Sequence, residues 1–366
     1  MKKCVSLLMA LLLTGLFTAA AESEAGYTFD IYEINKYGNV VLNVYGNTFA
    51  DLGFEFGDLI TVEAAGRVLE MPVGSSYTDV DDGQYVCRVV LSEEIERSAV
   101  VLAMKNGDMA AEAGITADMP ITVALRQKGG YLDEYLRRQL VRSNAREDYP
   151  ALSDEEYANF RMVVTYGIAP YVLYRSSSPV NPGLNRNREA DEALNNAGIA
   201  AIINLADSEA QLREYESYLT SYYSSRSVIC LNMPVDTASA AFEAGLVEGL
   251  RFMTVNDGPY LIHCNEGRDR TGFACAVLEC LMGASLDEVI ADYMQSYLLY
   301  YGVRPDDPKY ELIAQTNIMP SLSRAFGDRD LQAGDDLSQY AAQYLISLGL
   351  SSDEIDILKD RLSVGF

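Results

Sequence analysis

The stretch His263-Cys264-Asn265-Glu266-Gly267-Arg268-Asp269-Arg270-Thr271-Gly272 holds the only histidine of the chain and, next to it, a cysteine. An arginine and a hydroxyl residue follow that cysteine after five intervening residues. The apolar run Pro259-Tyr260-Leu261-Ile262 reads as a buried strand, and Gly272 to Met282 reads as a helix. The ten residues thus join a strand end to a helix N-terminus, where unpaired backbone N–H groups favour an anion. A thiolate attacks phosphorus well, and a helix N-terminus with nearby positive charge lowers a thiol's pKa. Arg268 and Arg270 supply that charge, and the planar fork of Arg270 fits two phosphate oxygens. Gly267 permits a tight turn, so that the N–H groups of Asn265, Glu266 and their neighbours converge. Thr271 can hydrogen-bond the thiolate, and His263 suits loop orientation better than proton transfer. The competing interpretation is a buried structural cysteine beside two surface arginines; it leaves the strand–loop–helix context unexplained. No second histidine and no finger-type cysteine spacing exist, so neither a metal nor a cofactor is expected.

The surrounding pattern alternates helix and strand. Strands are expected at Ile199 to Leu205, Val228 to Pro234 and Pro259 to His263. Helices are expected at Glu192 to Ala197, Glu209 to Tyr222, Ala241 to Met253, Leu286 to Tyr301 and Leu337 to Leu362, with Ser351 and Ser352 ahead of Asp353 and Glu354 as a cap. Such alternation implies an α/β domain, a mostly parallel sheet flanked by helices, with its ligand at the strand C-terminal edge. Residues 27–125 differ. Short β-branched runs such as Val40 to Val44, Leu59 to Val62 and Tyr85 to Leu91, separated by glycine turns, predict a small all-β barrel-like domain. Between them, 126–150 reads as a linker helix. Its arginines Arg137, Arg138, Arg142 and Arg146 are expected to pair with acidic residues of a neighbouring domain. The second domain occupies 151–366.

Residues 1–21 carry Lys2 and Lys3, an apolar run from Val5 to Phe17, and Ala19-Ala20-Ala21. This is the pattern of a secretory signal peptide, so a secreted or cell-envelope protein without stable membrane insertion is expected. Fifty-three acidic residues against 28 basic ones give a net charge of −25, which argues against nucleic acid or an anionic membrane as partner. Five cysteines would remain, Cys87, Cys230, Cys264, Cys275 and Cys280, too few for a dense disulfide framework. Cys275 and Cys280 read as core residues, and Cys230 is a candidate to protect Cys264 by a reversible disulfide.

The loop His263 to Gly272 resembles the phosphatase loop of the cysteine-dependent protein tyrosine phosphatases, in particular the bacterial dual- and triple-specificity branch. Asn159-Phe160-Arg161, Leu173-Tyr174-Arg175-Ser176, Ile202-Ile203-Asn204-Leu205 and Asp292-Tyr293 resemble further segments of that family. Where the branch has lysine before the loop aspartate, this chain has Arg268. The resemblance implies a phosphocysteine intermediate on Cys264, phosphate held by Arg270, and Arg175 near the site. Residues 36–43, Lys36-Tyr37-Gly38-Asn39-Val40-Val41-Leu42-Asn43, with Gly57-Asp58, are similar to the C-terminal β domain of bacterial S-adenosylmethionine hydroxide adenosyltransferases. The other half of that enzyme site has no counterpart here, so a binding or spacer module is expected.

A carboxylic acid must protonate the leaving oxygen. Asp269, inside the loop as in the bacterial branch, and Asp236, after the strand at Leu231 to Val235, are the two candidates. The substrate is expected to be a phosphomonoester, phosphotyrosine protein first. The alternative is an inositol polyphosphate, with Arg161, Arg175, Arg186 and Arg188 as extra cationic groups. A third reading, of a different class, is a non-catalytic phospho-ligand binder.

Overall fold

Positions 60, 62 and 64 of one strand and 121 and 123 of its neighbour are buried, and the positions between them are not. This period-two pattern folds the N-terminal part into a sheet with one apolar face. The computed structural model describes residues 26–364, so the expected signal peptide at 1–21 lies outside the described residues. The chain divides between Arg138 and Gln139 into two units.

The first unit contains eight strands: β1 (Tyr27–Phe29), β2 (Ile31–Ile34), β3 (Val40–Leu42), β4 (Leu59–Ala64), β5 (Arg67–Gly74), β6 (Tyr85–Val90), β7 (Ala99–Met104) and β8 (Ile121–Gln127). They lie in the order β1-β8-β4-β5-β6-β7-β3-β2, antiparallel except for β5 with β6. The two edge strands, β1 and β2, are separated in sequence by Asp30 alone, so the sheet curls round until it is nearly closed. Phe49, Ile60, Val62, Leu102 and Ile121 fill it. Buried Asp58 fixes the exit from β8, accepting from Gly129 N at 2.8 Å and from Lys128 Nζ at 3.1 Å.

The helix expected across 126–150 is shorter, Leu132–Arg138. β8 runs through Gln127, Gly129 adopts a positive φ, and the Ser143-Asn144 and Pro150 region favours turns over helix. Its arginines do find the expected acidic partners beyond the linker: Arg142 pairs with Glu266 of the loop at 2.6 Å within the second unit. Arg138 pairs with Asp81 at 3.0 Å within the first unit, and Arg146 pairs with Asp154 at 2.9 Å within the second.

In the second unit the strands are β9 (Arg161–Met162), β10 (Leu173–Ser176), β11 (Ala201–Asn204), β12 (Ser227–Cys230) and β13 (Tyr260–His263). Their order is β12-β11-β13-β10-β9, parallel except for edge strand β9. All four residues of β10, β11 and β13 are buried. Tyr260, Ile262, Ala201, Ile203 and Leu173 join one core, and Leu261, Ile202 and Tyr174 join another on the opposite face. A strand covered on both sides must be apolar at every position, which is why these segments read as continuous runs rather than alternating ones.

The expected helices at Ala241 to Met253 and Leu286 to Tyr301 form as Ala240–Val255 and Leu286–Tyr301. The one expected at Glu209 to Tyr222 stops at Glu214. Beyond it the backbone N–H groups of Tyr222 and Tyr223 bond to Asp191, and the Ser/Tyr-rich chain adopts short turns instead. Gly349, at φ +107°, splits the C-terminal segment into helices Leu337–Ser347 and Ser352–Ser363, the second capped by Ser351 with Glu354. Among the described residues no helix is long and apolar enough to cross a membrane.

Leu261 lies wholly buried on the central strand. Leu261→Ala is expected to lower the unfolding free energy by about 2–5 kcal/mol, read from urea midpoints; a loss under about 1 kcal/mol would contradict a core on that face.

Candidate active site

β13 ends at His263, and the helix Asp269–Leu281 begins five residues after Cys264. The loop between them is held from behind by its carbonyls. Asn265 O accepts from Ser178 N at 3.0 Å, and Glu266 O accepts from Asn159 Nδ2 and from the Tyr300 hydroxyl, both at 2.9 Å. Gly267 O accepts from Arg175 Nη2 at 2.9 Å, and Arg268 O accepts from the same nitrogen at 3.3 Å. With each carbonyl pinned, the intervening N–H groups face the other side. Among the described residues nothing accepts from the backbone N–H of Asn265, Glu266, Gly267 or Arg268. The first N–H groups of the following helix are unpaired by helix geometry. The result is a nest of donors built for one anion.

Gly267 makes this possible. Its φ is +68°, and a Cβ there would lie 2.1 Å from Ser176 O. Gly272 serves the same packing one turn later, where a Cβ would meet the Tyr293 ring at 2.6 Å.

Arg175 is fully buried. Its guanidinium pairs with Asp292, which also takes Arg161 Nε at 3.1 Å. Burial alone would raise the Asp292 carboxyl, but Arg175 and Arg161 outweigh it and hold that group near about 2. Burial pushes the neighbouring Glu279 carboxyl far above its ordinary range, and the Asp292 charge adds to this. Arg175 is thus a support behind the loop and not a group that faces substrate, contrary to the expectation from sequence.

The other arginines offered for a polyphosphate are also committed. Arg161 serves Asp292, Asn159 and Ser296. Arg186 is buried with its guanidinium 4.1 Å from the Tyr157 ring centroid and 4.2 Å from that of Tyr300. Arg188 points outward and pairs with Glu189 at 2.7 Å. Apart from the bond of Arg161 to Asn159, the contacts of Arg161 and Arg186 join residues far apart in sequence, which no local pattern records.

Cys264 is buried at the floor of the loop. Thr271 Oγ1 is buried and has no hydrogen-bond partner among the described residues. Arg270 spans the adjacent strand ends, donating to Met233 O at 2.9 Å and Leu205 O at 3.4 Å. Arg268 forks onto Asp269, with both contacts at 2.9 Å, and also meets Glu266 at 3.1 Å. Asp236 sits on the exposed loop after β12, where its carboxylate accepts from Ala238 N at 3.0 Å. Asp236 and Asp269 line one cavity of about 390 Å³, together with Arg268, Phe273, Tyr293 and Tyr297.

Sequence reasoning did not single out Tyr293, Tyr297 or Tyr300 for this site. Tyr293 stands in the segment Asp292-Tyr293 without a role, and the only signal of Tyr297 and Tyr300 is helical spacing along Leu286–Tyr301, which also fits plain core packing. Cys230 does not serve as a partner for Cys264. It is in register with Asn204, and Asn204 with His263, so a whole strand intervenes. Two strand spacings are roughly 10 Å, beyond the 7 Å or so that a disulfide spans between Cα atoms.

His263 Nδ1 lies 3.3 Å from Cys264 O, which can only accept, so that nitrogen carries the proton. Nε2, 2.9 Å from the Tyr223 oxygen, then accepts from the hydroxyl, while Asn204 Nδ2 donates to the same oxygen at 3.1 Å. Burial holds the imidazole neutral, lowering its pKa to about 4. The histidine is a strut under the nucleophile.

A buried cysteine at a strand end, a set of free N–H groups and a fork-shaped cation together form a site suited to a phosphate group beside a thiol. Residues 233–364 match the tyrosine phosphatase family. The catalytic core of the PP-IP phosphatase Siw14 from S. cerevisiae is similar at 18% identity, over 46% of this chain and 95% of that one, with a TM-score of 0.27. The N-terminal region matches an uncharacterized conserved protein from Thermotoga maritima at 19% identity, over 26% of this chain and 35% of that one, with a TM-score of 0.24. It also matches a conserved hypothetical protein from Thermus thermophilus at 19% identity, over 27% and 35%, with a TM-score of 0.20. These matches cover about a third of the length of those two proteins. No curated protein sequence matches the chain.

Two outcomes are expected. Asp292→Ala leaves Arg175 and Arg161 buried without a counter-charge and should cost about 3–5 kcal/mol in urea unfolding. An effect below about 1 kcal/mol would mean the pair does not hold the loop. His263, neutral when folded, must stay unprotonated where the unfolded chain takes up a proton. Its contribution is complete above the unfolded value of 6.5 and is lost as pH falls to about 4. Wild type should therefore lose roughly 3 kcal/mol more stability over that window than His263→Gln, measured as paired urea titrations.

Proposed function

We propose that this chain is a secreted phosphatase that hydrolyses aryl phosphomonoesters, with phosphotyrosine in protein as the first substrate class, through a phosphocysteine. The observation that carries the reading is the convergence of two carboxyl groups, Asp236 and Asp269, on one cavity that meets the Cys264 loop at Arg268 and Asp269. The walls of that cavity include the edges of the largely buried Phe273, Tyr293 and Tyr297 rings, apolar ground beside the carboxyls on which a phenyl group can rest. The four arginines on which an inositol polyphosphate reading depends do not line it. Secretion is inferred from the leader-like residues 1–21.

In this mechanism the Cys264 thiolate attacks phosphorus in line with the leaving oxygen. The S–P bond forms as the P–O bond breaks. Arg270 and the loop amides hold the three equatorial oxygens. Asp269 passes its proton to the departing phenolate and then takes one from water, which attacks the phosphocysteine and releases inorganic phosphate. Asp269 is preferred to Asp236 because it is the first residue of the loop helix and moves rigidly with the nest. Asp236 already spends its carboxylate on the turn at Ala238.

Phosphate release from phosphotyrosine without added metal should vanish in Cys264→Ser. It should fall by about 10²–10⁴-fold in Asp269→Asn while Asp236→Asn loses under about tenfold. Reversal of that order would make Asp236 the acid. Equal activity of Cys264→Ser and wild type would sink the phosphocysteine mechanism.

A further inference from the structure

The cavity extends past the proposed acid to a second cation that the mechanism does not use. Thr316, Asn317, Ser321 and Arg324 close its far side. They belong to two helices, Pro308–Thr316 and Ile318–Ala325, that meet at Asn317. This wall is fixed in place. Asn317 Nδ2 donates to the Tyr297 hydroxyl at 2.8 Å, Ser321 Oγ to Asn317 O at 2.8 Å, and Ile318 and Leu322 are buried in the main core of the unit.

Arg324 is exposed, and its guanidinium makes no ion pair and no side-chain hydrogen bond among the described residues. Among the described residues Arg186 and Arg270 also lack an acidic partner, but Arg324 is the one of the three that is exposed and lines this cavity. Arg268, across the cavity, is neutralised by Asp269 and Glu266. The cavity thus holds Arg268 and Arg324 against Asp236 and Asp269. Once one of these carboxyls carries the proton it donates, the balance is positive, and the uncommitted charge is Arg324.

We infer that Arg324 is a specificity-determining residue that binds a second anionic group, phosphate or carboxylate, carried by the substrate beyond its scissile phosphoryl group. This rests on the reading of the cavity as the leaving-group site. An arginine fork is suited to either oxyanion. Thr316, Asn317 and Ser321 supply a polar wall beside it. The two sources of such an anion are a neighbouring acidic or phosphorylated residue in a peptide, and a second phosphate on a small polyol.

The test compares four probes at fixed ionic strength on wild type, Arg324→Gln and Arg324→Lys. Three are phosphotyrosine peptides whose adjacent residues are alanine, glutamate or phosphoserine, and the fourth is inositol hexakisphosphate. Wild type should prefer the glutamate or phosphoserine peptide to the alanine peptide. In Arg324→Gln that preference, as a ratio of kcat/KM values, should fall by about tenfold or more, through KM rather than kcat. Arg324→Lys should restore part of it. The wild-type preference should also weaken as salt rises. If inositol hexakisphosphate alone depends on Arg324, the anion comes from a polyol; if the peptides alone do, it comes from protein. A peptide and polyol profile that changes by less than about twofold in Arg324→Gln overturns the inference. Absence of phosphate release from every probe by wild type overturns the functional reading itself, so the two failures are distinct.

Discussion

The buried ion pair between Arg175 and Asp292 sets the geometry on which the active site depends. Arg175 reaches the carbonyls of Gly267 and Arg268 with the nitrogen that Asp292 leaves free, and so fixes the orientation of two successive peptide units. A carbonyl held on one side leaves its peptide N–H on the other, and an anion nest follows. Taking these charges out of water is costly, and only the pairing with Asp292 and the added hydrogen bonds from Arg161 offset it. The chain therefore places permanent charge behind the loop so that the front can remain a set of bare N–H groups. Arg270, at the front, needs no such partner because strand-end carbonyls of Leu205 and Met233 hold it.

Much of this was legible from residue order. The loop itself, its strand and its helix are local, and their residue types carry the chemistry directly. The parallel sheet was legible because buried strands leave unbroken apolar runs, as at Leu261 and Ile202. What was not legible depends on contacts distant in sequence. Arg175 looks the same in sequence whether it faces a ligand or props a loop; only its closeness to Asp292, 117 residues later, decides. Near-closure of the β unit follows from the pairing of β1 with β8, which no period-two pattern records. Helix ends were misjudged where Asp191, far from Tyr222 in sequence, offered the backbone another partner.

The two acid candidates differ in the way they are held. Asp269 is carried on the loop helix and clamped by the residue before it, whereas Asp236 sits on an exposed turn. Both line one cavity, whose walls combine the edges of buried aromatic rings with polar side chains.

The strand between Cys230 and Cys264 has a consequence for the working life of the catalyst. Many thiol enzymes survive peroxide because a nearby second thiol traps the first oxidation product as a disulfide. β11 denies Cys230 that role, and Cys275 and Cys280 are sealed within the helix that follows the loop. Once oxidised to a sulfenic acid, Cys264 has no internal rescuer among these three. Its recovery falls to a small external thiol able to reach the buried sulfur, and without one further oxidation is irreversible. In such a setting turnover number would be limited by the surrounding redox chemistry rather than by the stability of the fold.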